Sequence, residues 1–257
     1  ASLLFWTNRT VICVPLLLNR AKLSVVSIMR IRYWSSVPQN AAHAAPSLFR
    51  IQALESWYEF LNVLRTPAFA IPSLAFPVVF YVLFALVLPG KWGDLQKATY
   101  LFATYGVFGV IGPALFGFGV GLAIEREKGW LELKRVSPMP TFVYFIAKIS
   151  MSLAFGLAIV CLLSIAAIGF GGVRISAGAW LALTATLLLG TLPFCAMGLW
   201  LGTLVKGQAA VALVNLVYLP MSVLSGLWIP LFVFPALMQK LAVLWPAWHL
   251  AQMALGA

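Results

Sequence analysis

Long apolar runs without a charge alternate with short charged stops along this chain. Residues 66–90, 98–124, 149–173, 175–205 and 207–239 contain no Asp, Glu, Lys or Arg. Each run exceeds the roughly 20 apolar residues that a helix needs to cross a bilayer, so the pattern predicts five membrane-spanning helices. The first run is Pro-rich at its start (Pro67, Pro72, Pro77), and the apolar character of the third begins earlier, near Phe142. Residues 241–257, with Trp245-Pro246, His249 and Gln252, do not make a sixth span.

Two stretches depart from this rhythm. From Ser47 to Arg65, Ile51, Leu54, Trp57/Tyr58, Leu61 and Leu64 recur at helical spacing, with Gln52, Glu55, Glu59 and Asn62 opposite. That is an amphipathic helix. Ser47 is its N-cap and Thr66-Pro67 its break. An indole and a phenol on the apolar face suit the membrane–water interface, and packing on a neighbouring helix is the alternative. From Ser222 to Pro246, Pro230, Pro235 and Pro246 lie among apolar and aromatic residues and break the chain into short pieces. Irregular backbone at membrane depth must be buried in protein or line a cavity, so a re-entrant or interfacial pair of short helices is expected there.

Composition narrows the class. The chain is 63% hydrophobic and 9% charged, far too little charge for the surface of a soluble domain of 257 residues. The fold class expected is therefore an all-α integral membrane protein. The net charge of +11 comes from basic residues scattered between apolar runs, with no basic stripe for nucleic acid. Basic residues favour cytoplasmic loops. With the N-terminal side inside, Arg50, Arg65, Arg126, Lys128, Lys134, Arg135, Lys148 and Lys206 lie in the cytoplasm, against Lys91, Lys97, Arg174 and Lys240 outside. That bias predicts a multi-pass protein of the cell (inner) membrane with a cytoplasmic N-terminus.

Residues 1–47 are basic and lack Asp and Glu, with Arg9, Arg20, Lys22, Arg30 and Arg32. An organellar transit peptide or signal-like segment is one reading. A disordered segment or one upstream of the true start is preferred, since no clean cleavage signature follows. Residues 48–257 form the membrane domain. Cys13, Cys161, Cys195, His43 and His249 are isolated from one another and read as structural.

The charged stop at residues 125–140 is the densest. It holds Glu125, Glu127 and Glu132 of the chain's six carboxylates, and Arg126, Lys128, Lys134 and Arg135 of its seventeen basic residues. Lys128–Glu132 and Glu132–Arg135 spacings allow ion pairs on a short helix, each worth roughly 0.2–0.5 kcal/mol. Gly129 permits a turn, Trp130, Leu131 and Leu133 add apolar groups, and Ser137-Pro138 stops the helix. A partner's docking surface and a solvated loop resting on lipid fit these residues equally.

Glu125-Arg126-Glu127, Gly129, Leu131-Glu132, Leu133 and Ser137-Pro138 resemble the pattern of ABC transporter permeases of the type 2 export class. The resemblance covers about residues 48–257 and includes the amphipathic helix and the Ser225-Gly226, Trp228-Ile229-Pro230 segment. It implies that residues 125–140 carry the coupling helix that docks on an ATP-binding cassette ATPase subunit. The implied coupling residues are Glu125, Arg126, Glu127, Gly129, Leu131, Glu132, Ser137 and Pro138. Trp130 departs from the small hydroxyl residue usual in that family. Six spans are usual there, so a missing sixth span and a truncated C-terminus are expected.

The chain has no phosphate-binding loop, nucleophile–base pair or metal cluster, so it is not expected to bind a cofactor or to act as an enzyme. ATP and Mg are expected on the partner ATPase. The resemblance further implies a homodimer or heterodimer of permeases exporting a hydrophobic or amphipathic, drug-like or lipid-like substrate. A lipid-processing membrane enzyme and a non-transporting scaffold are the alternatives. Asn215, Tyr218, Ser222 and Ser225 share one face of the fifth span and are either a translocation path or helix–helix glue. The glycines of the second span, Gly106 to Gly121, with Pro113, suit close packing or hinge motion.

Overall fold

A computed structural model describes residues 3–7, 10–14, 47–87, 90–92, 95–136 and 139–256. The chain divides into two compact units, Ala1–Ala45 and Pro46–Ala257. In the first, strands β1 (Leu3–Thr7) and β2 (Thr10–Val14) pair antiparallel, with Leu3 opposite Val14 and Thr7 opposite Thr10. The sequence reading assigned no structure here. These strands are rich in aromatic and β-branched residues, which favour a pleated backbone. The remainder of that reading, on residues 15–46, lies outside the described residues.

The second unit is helical. Helix α1 (Leu48–Leu64) opens as expected, the Arg50 amide donating to the Ser47 hydroxyl oxygen at 3.4 Å. Helix α2 (Pro67–Tyr81) begins with Pro67 in its first turn, where no amide is missed, and runs into a wide turn at Val82–Val87. The two-residue strands β3 (Lys91–Trp92) and β4 (Leu95–Gln96) turn the chain back. Helix α3 (Lys97–Leu115) continues through a second wide turn, Phe116–Val120, into α4 (Gly121–Glu127). Pro113 lacks an amide and Gly117 and Gly119 add freedom, so the helical ladder loosens there. After α5 (Trp130–Val136) come the long α6 (Thr141–Gly169) and α7 (Ala177–Leu204), then α8 (Ala209–Leu224).

Among the described residues, four helical stretches are long and apolar enough to cross a membrane: Pro67–Val87, Lys97–Glu127, Thr141–Gly169 and Ala177–Leu204. The fifth predicted span appears as α8, whose 16 residues extend about 24 Å at 1.5 Å per residue. The uncharged run 207–239 overstated it because uncharged residues also build the broken segment that follows. In that segment Gly226 takes φ 76°, a 3₁₀ turn covers Leu231–Val233, and α9 (Ala236–Ala242) and α10 (Pro246–Leu255) are short helices. Helix α10 buries Ala247, Leu250, Ala251 and Ala254 at helical spacing against α3 and α7. His249 Nε2 lies 2.9 Å from the Val243 carbonyl oxygen, on an exposed side chain.

Helix α3 is the axis of this unit. From Leu101 to Leu115 nearly every side chain is buried, against α2, α6, α7 and α10. Its glycines serve close packing. A Cβ on Gly202 would lie 2.5 Å from the Gly119 carbonyl oxygen, and one on Gly198 would lie 2.9 Å from that of Ala114. Backbone meets backbone here, the contact that small residues allow between membrane helices. Gly202→Val should therefore destabilise the protein by about 1–3 kcal/mol, read as a lower unfolding temperature in detergent. Gly169→Ala, whose Cβ would meet open space, should leave that temperature unchanged.

Candidate functional site

The charged residues of α1, α4, α5 and α6 converge at one end of the helical unit. Residue periodicity places Gln52, Glu55, Ser56 and Glu59 on one face of α1, and that polar face turns toward the protein. Gln52 Nε2 donates to the Val143 carbonyl oxygen at 3.4 Å and to Ser56 Oγ at 3.1 Å. Leu54, Trp57, Tyr58 and Leu64 are exposed. Phe60 and Val63 complete the contact by packing on a small cluster of Ala70, Met151 and Phe155. Helix α1 thus offers apolar groups to its surroundings and carboxylates to its own fold.

Those carboxylates meet Lys148, two turns into α6. The ammonium is 1% exposed and donates to Glu59 Oε1 at 2.5 Å and to Glu125 Oε1 at 2.8 Å. Tyr144, one turn earlier, donates its hydroxyl to Glu125 Oε2 at 2.8 Å. Its ring lies between two cations, with Lys148 Nζ 5.1 Å and Lys134 Nζ 4.6 Å from the centroid. Lys134, on α5, pairs in turn with Glu55 at 2.6 Å. One lysine between two carboxylates, with a phenol and a second lysine, links four helices. Desolvating such charges costs several kcal/mol per ion, and only hydrogen bonds of this quality offset it.

A second set of contacts joins the same stretch to the junction of α7 and α8. Arg126 donates from Nη1 to the Thr203 carbonyl oxygen at 3.2 Å and from Nη2 to that of Val205 at 2.8 Å. These are carbonyls at the C-terminus of α7, where a cation is favoured. The Gly207 amide donates to the Ala123 carbonyl oxygen at 3.3 Å. Gly207, at φ 55°, lies so close to the Glu127 carboxylate that a Cβ there would collide with it.

Among the residues predicted for coupling, Glu125 is buried and faces the lysine, and Arg126 faces α7. Glu127 is exposed, Gly129 takes φ 72° at the α4–α5 turn, Leu131 is half-buried and Glu132 is exposed. Ser137 and Pro138 lie outside the described residues. Lys128 turns to the Trp130 ring, 5.1 Å from its centroid, rather than to Glu132. Exposed Trp130, Leu133 and Val136 remain on the outer face of α5.

The fifth-span stripe behaves as glue at two positions. The Tyr218 hydroxyl donates to the Phe108 carbonyl oxygen at 3.0 Å, and Ser222 Oγ donates back to the Tyr218 carbonyl oxygen at 2.7 Å. Asn215 is half-buried, and Ser225 is buried without a hydrogen-bond partner among the described residues.

Sequence reasoning missed Lys148, which it treated as a loop cation marking a span end. It also ended the second span at residue 124, whereas the helix continues to Glu127 and buries Glu125, the next residue. The usable signal was spacing. Tyr144 and Lys148 are four apart on one helix, as are Glu55 and Glu59 on another.

Apolar helices long enough to span a bilayer, gathered around α3 with a charged interhelical end, define a multi-pass helical membrane protein. Residues 53–257 match the family described as ABC-2 type transporter, and the chain belongs to that family. A protein of Bacillus subtilis (strain 168) named as a transport permease, YvfS, is 30% identical over 202 residues, covering 76% of this chain and 80% of that protein. The chain is a permease of an ABC transport system, a transport subunit rather than an enzyme.

Removing Lys148 leaves two buried carboxylates facing each other, whereas removing Glu59 leaves the neutral Lys148–Glu125 pair. Lys148→Met should cost about 3–5 kcal/mol, and Glu59→Gln distinctly less, both measured by thermal unfolding in detergent. Equal losses would mean that the three groups do not share one charge balance.

Proposed function

We propose that this chain is the membrane subunit of an ATP-driven exporter, with α5 as the element that docks on a separate ATPase subunit. The observation that carries the reading is the double anchoring of residues 121–136. One side is held to α1 and α6 by Glu125, Lys134, Tyr144 and Lys148, and the other to the α7–α8 junction by Arg126 and by the Gly207 amide on the Ala123 carbonyl oxygen. A force applied to the exposed face of α5 therefore reaches four helices through short hydrogen bonds rather than through a flexible loop. ATP and Mg belong to the partner, and nucleotide-driven closure moves α5.

In this reading the charged end is cytoplasmic. Lys148 no longer counts as a loop cation, yet the seven other inner basic residues still outnumber Lys91, Lys97, Arg174 and Lys240. The N-terminal side of the membrane domain is then inside, in a cell inner membrane. Two permeases, identical or related, form the path for a hydrophobic or amphipathic substrate, drug-like or lipid-like. Apolar span surfaces such as Leu189, Trp200 and Leu216 suit lipid or a second permease. Asn215 is the stripe residue best kept for the path, because Tyr218 and Ser222 are committed to backbone oxygens.

Two measurements test this. In a complex co-expressed with its ATPase subunit, Gly129→Val should lower coupled ATPase activity by about tenfold or more while the permease still inserts, because φ 72° is strained for a β-branched residue. Unchanged coupling would remove α5 from the role. Asn215→Leu should change substrate-stimulated ATPase activity without loss of the complex, and identical stimulation across a panel of amphipathic compounds would return Asn215 to packing.

A further inference from the structure

Between α1 and α5 the structure holds an open cavity of about 210 Å³, walled by Glu55, Glu59, Glu125, Lys134, Tyr58 and Trp130. Its charge is not balanced from within. Three carboxylates face two ammonium groups, those of Lys134 and of the buried Lys148 behind the wall. Glu59 is only 7% exposed, yet its Oε1 alone is engaged, and Oε2 has no hydrogen-bond partner among the described residues. Glu59 lines the open cavity, so a donor entering there can reach that oxygen, and a bond to a carboxylate is charge-assisted. Lys128 lies over Trp130 at the exposed rim and pairs with none of these carboxylates.

The walls state what would fill it. A carboxylate with a vacant oxygen between aromatic faces attracts a cation, and the planar, stacking guanidinium matches such a site better than an ammonium. The volume falls below the ~300–1,000 Å³ of pockets for drug-sized ligands, which leaves room for one side chain. Tyr58 and Trp130, the aromatic groups of its wall, are themselves exposed, as groups around a central anchor in an interface are.

We propose that this cavity is the socket for an arginine side chain of the ATPase subunit. The inference rests on the docking reading above and adds α1 to the docked surface. The arginine would satisfy Glu59 Oε2 and so touch the carboxylate that holds Lys148, giving the partner a direct grip on α6 as well as on α5.

The test uses the full permease co-expressed and purified with its ATPase subunit. A photo-crosslinking p-benzoylphenylalanine replaces Tyr58 or, separately, Asn62, both at the cavity wall, or Val136 on the exposed face of α5. The expected result is ATPase adducts from all three positions, those from Tyr58 and Asn62 mapping by mass spectrometry beside an arginine. Changing that arginine to Ala should weaken assembly about tenfold or more, with Lys restoring it only in part. If Val136 reaches the ATPase while Tyr58 and Asn62 reach lipid, a second permease or nothing, the socket is wrong and the docking reading stands. Adducts far from any arginine, or an Ala variant that assembles normally, also overturn the socket. If no position reaches the ATPase, both readings fall.

Discussion

The ammonium of Lys148 is the charge around which one end of this protein is arranged. Placed two turns into an apolar helix, it is cut off from water and tolerable only because Glu59 and Glu125 approach it within 2.8 Å. Every neighbouring choice follows from that need. Glu125 must ride on a helix that continues past its apolar run, α1 must turn its polar face inward, and Tyr144 must donate to the remaining oxygen of Glu125. A buried cation of this kind contributes little net stability, since its desolvation consumes most of the Coulombic gain. Its effect is positional: three helices from distant parts of the chain are held in one register.

Under the docking proposal, the same arrangement is what carries a displacement of α5 to the other helices. Packed interiors and short ion pairs transmit displacement, whereas a solvated loop absorbs it. Helix α5 is tied through Lys134 to α1, and the preceding α4 is tied through Arg126 to the end of α7. Between these two anchors the Gly129 backbone adopts a conformation that L side chains rarely take.

Away from the charged end the forces are simpler. Helix α3 is buried on all sides because its residues are apolar or small all round, and Gly198 and Gly202 of α7 let that helix approach α3 and the wide turn after it to backbone contact. Tyr218 and Ser222 meet their hydrogen-bonding needs at backbone oxygens, so they hold α8 to α3 or to itself. An outward polar face would be costly in lipid, and these bonds remove that cost.

Charge-free runs long enough for a bilayer determined by themselves that the chain is a helical membrane protein, because lipid leaves helices few alternatives. Ser47, Thr66-Pro67 and the prolines after residue 222 likewise marked where helices start and break, since caps and missing amides act locally. The motif at 125–140 was legible as the densest charged stop, its residues fitting a docking surface and a solvated loop equally. What the sequence could not decide was which side each charge faces. The carboxylates of α1 read only as the polar face of an amphipathic helix, and Lys148 read as a cation at a span end, because nothing local distinguishes a solvated charge from a paired one. That distinction depends on residues 23 to 89 positions apart, Glu125 and Glu59 measured from Lys148. Only the tertiary structure brings them within hydrogen-bond reach, and with them the cavity whose unfilled charge belongs to no single helix.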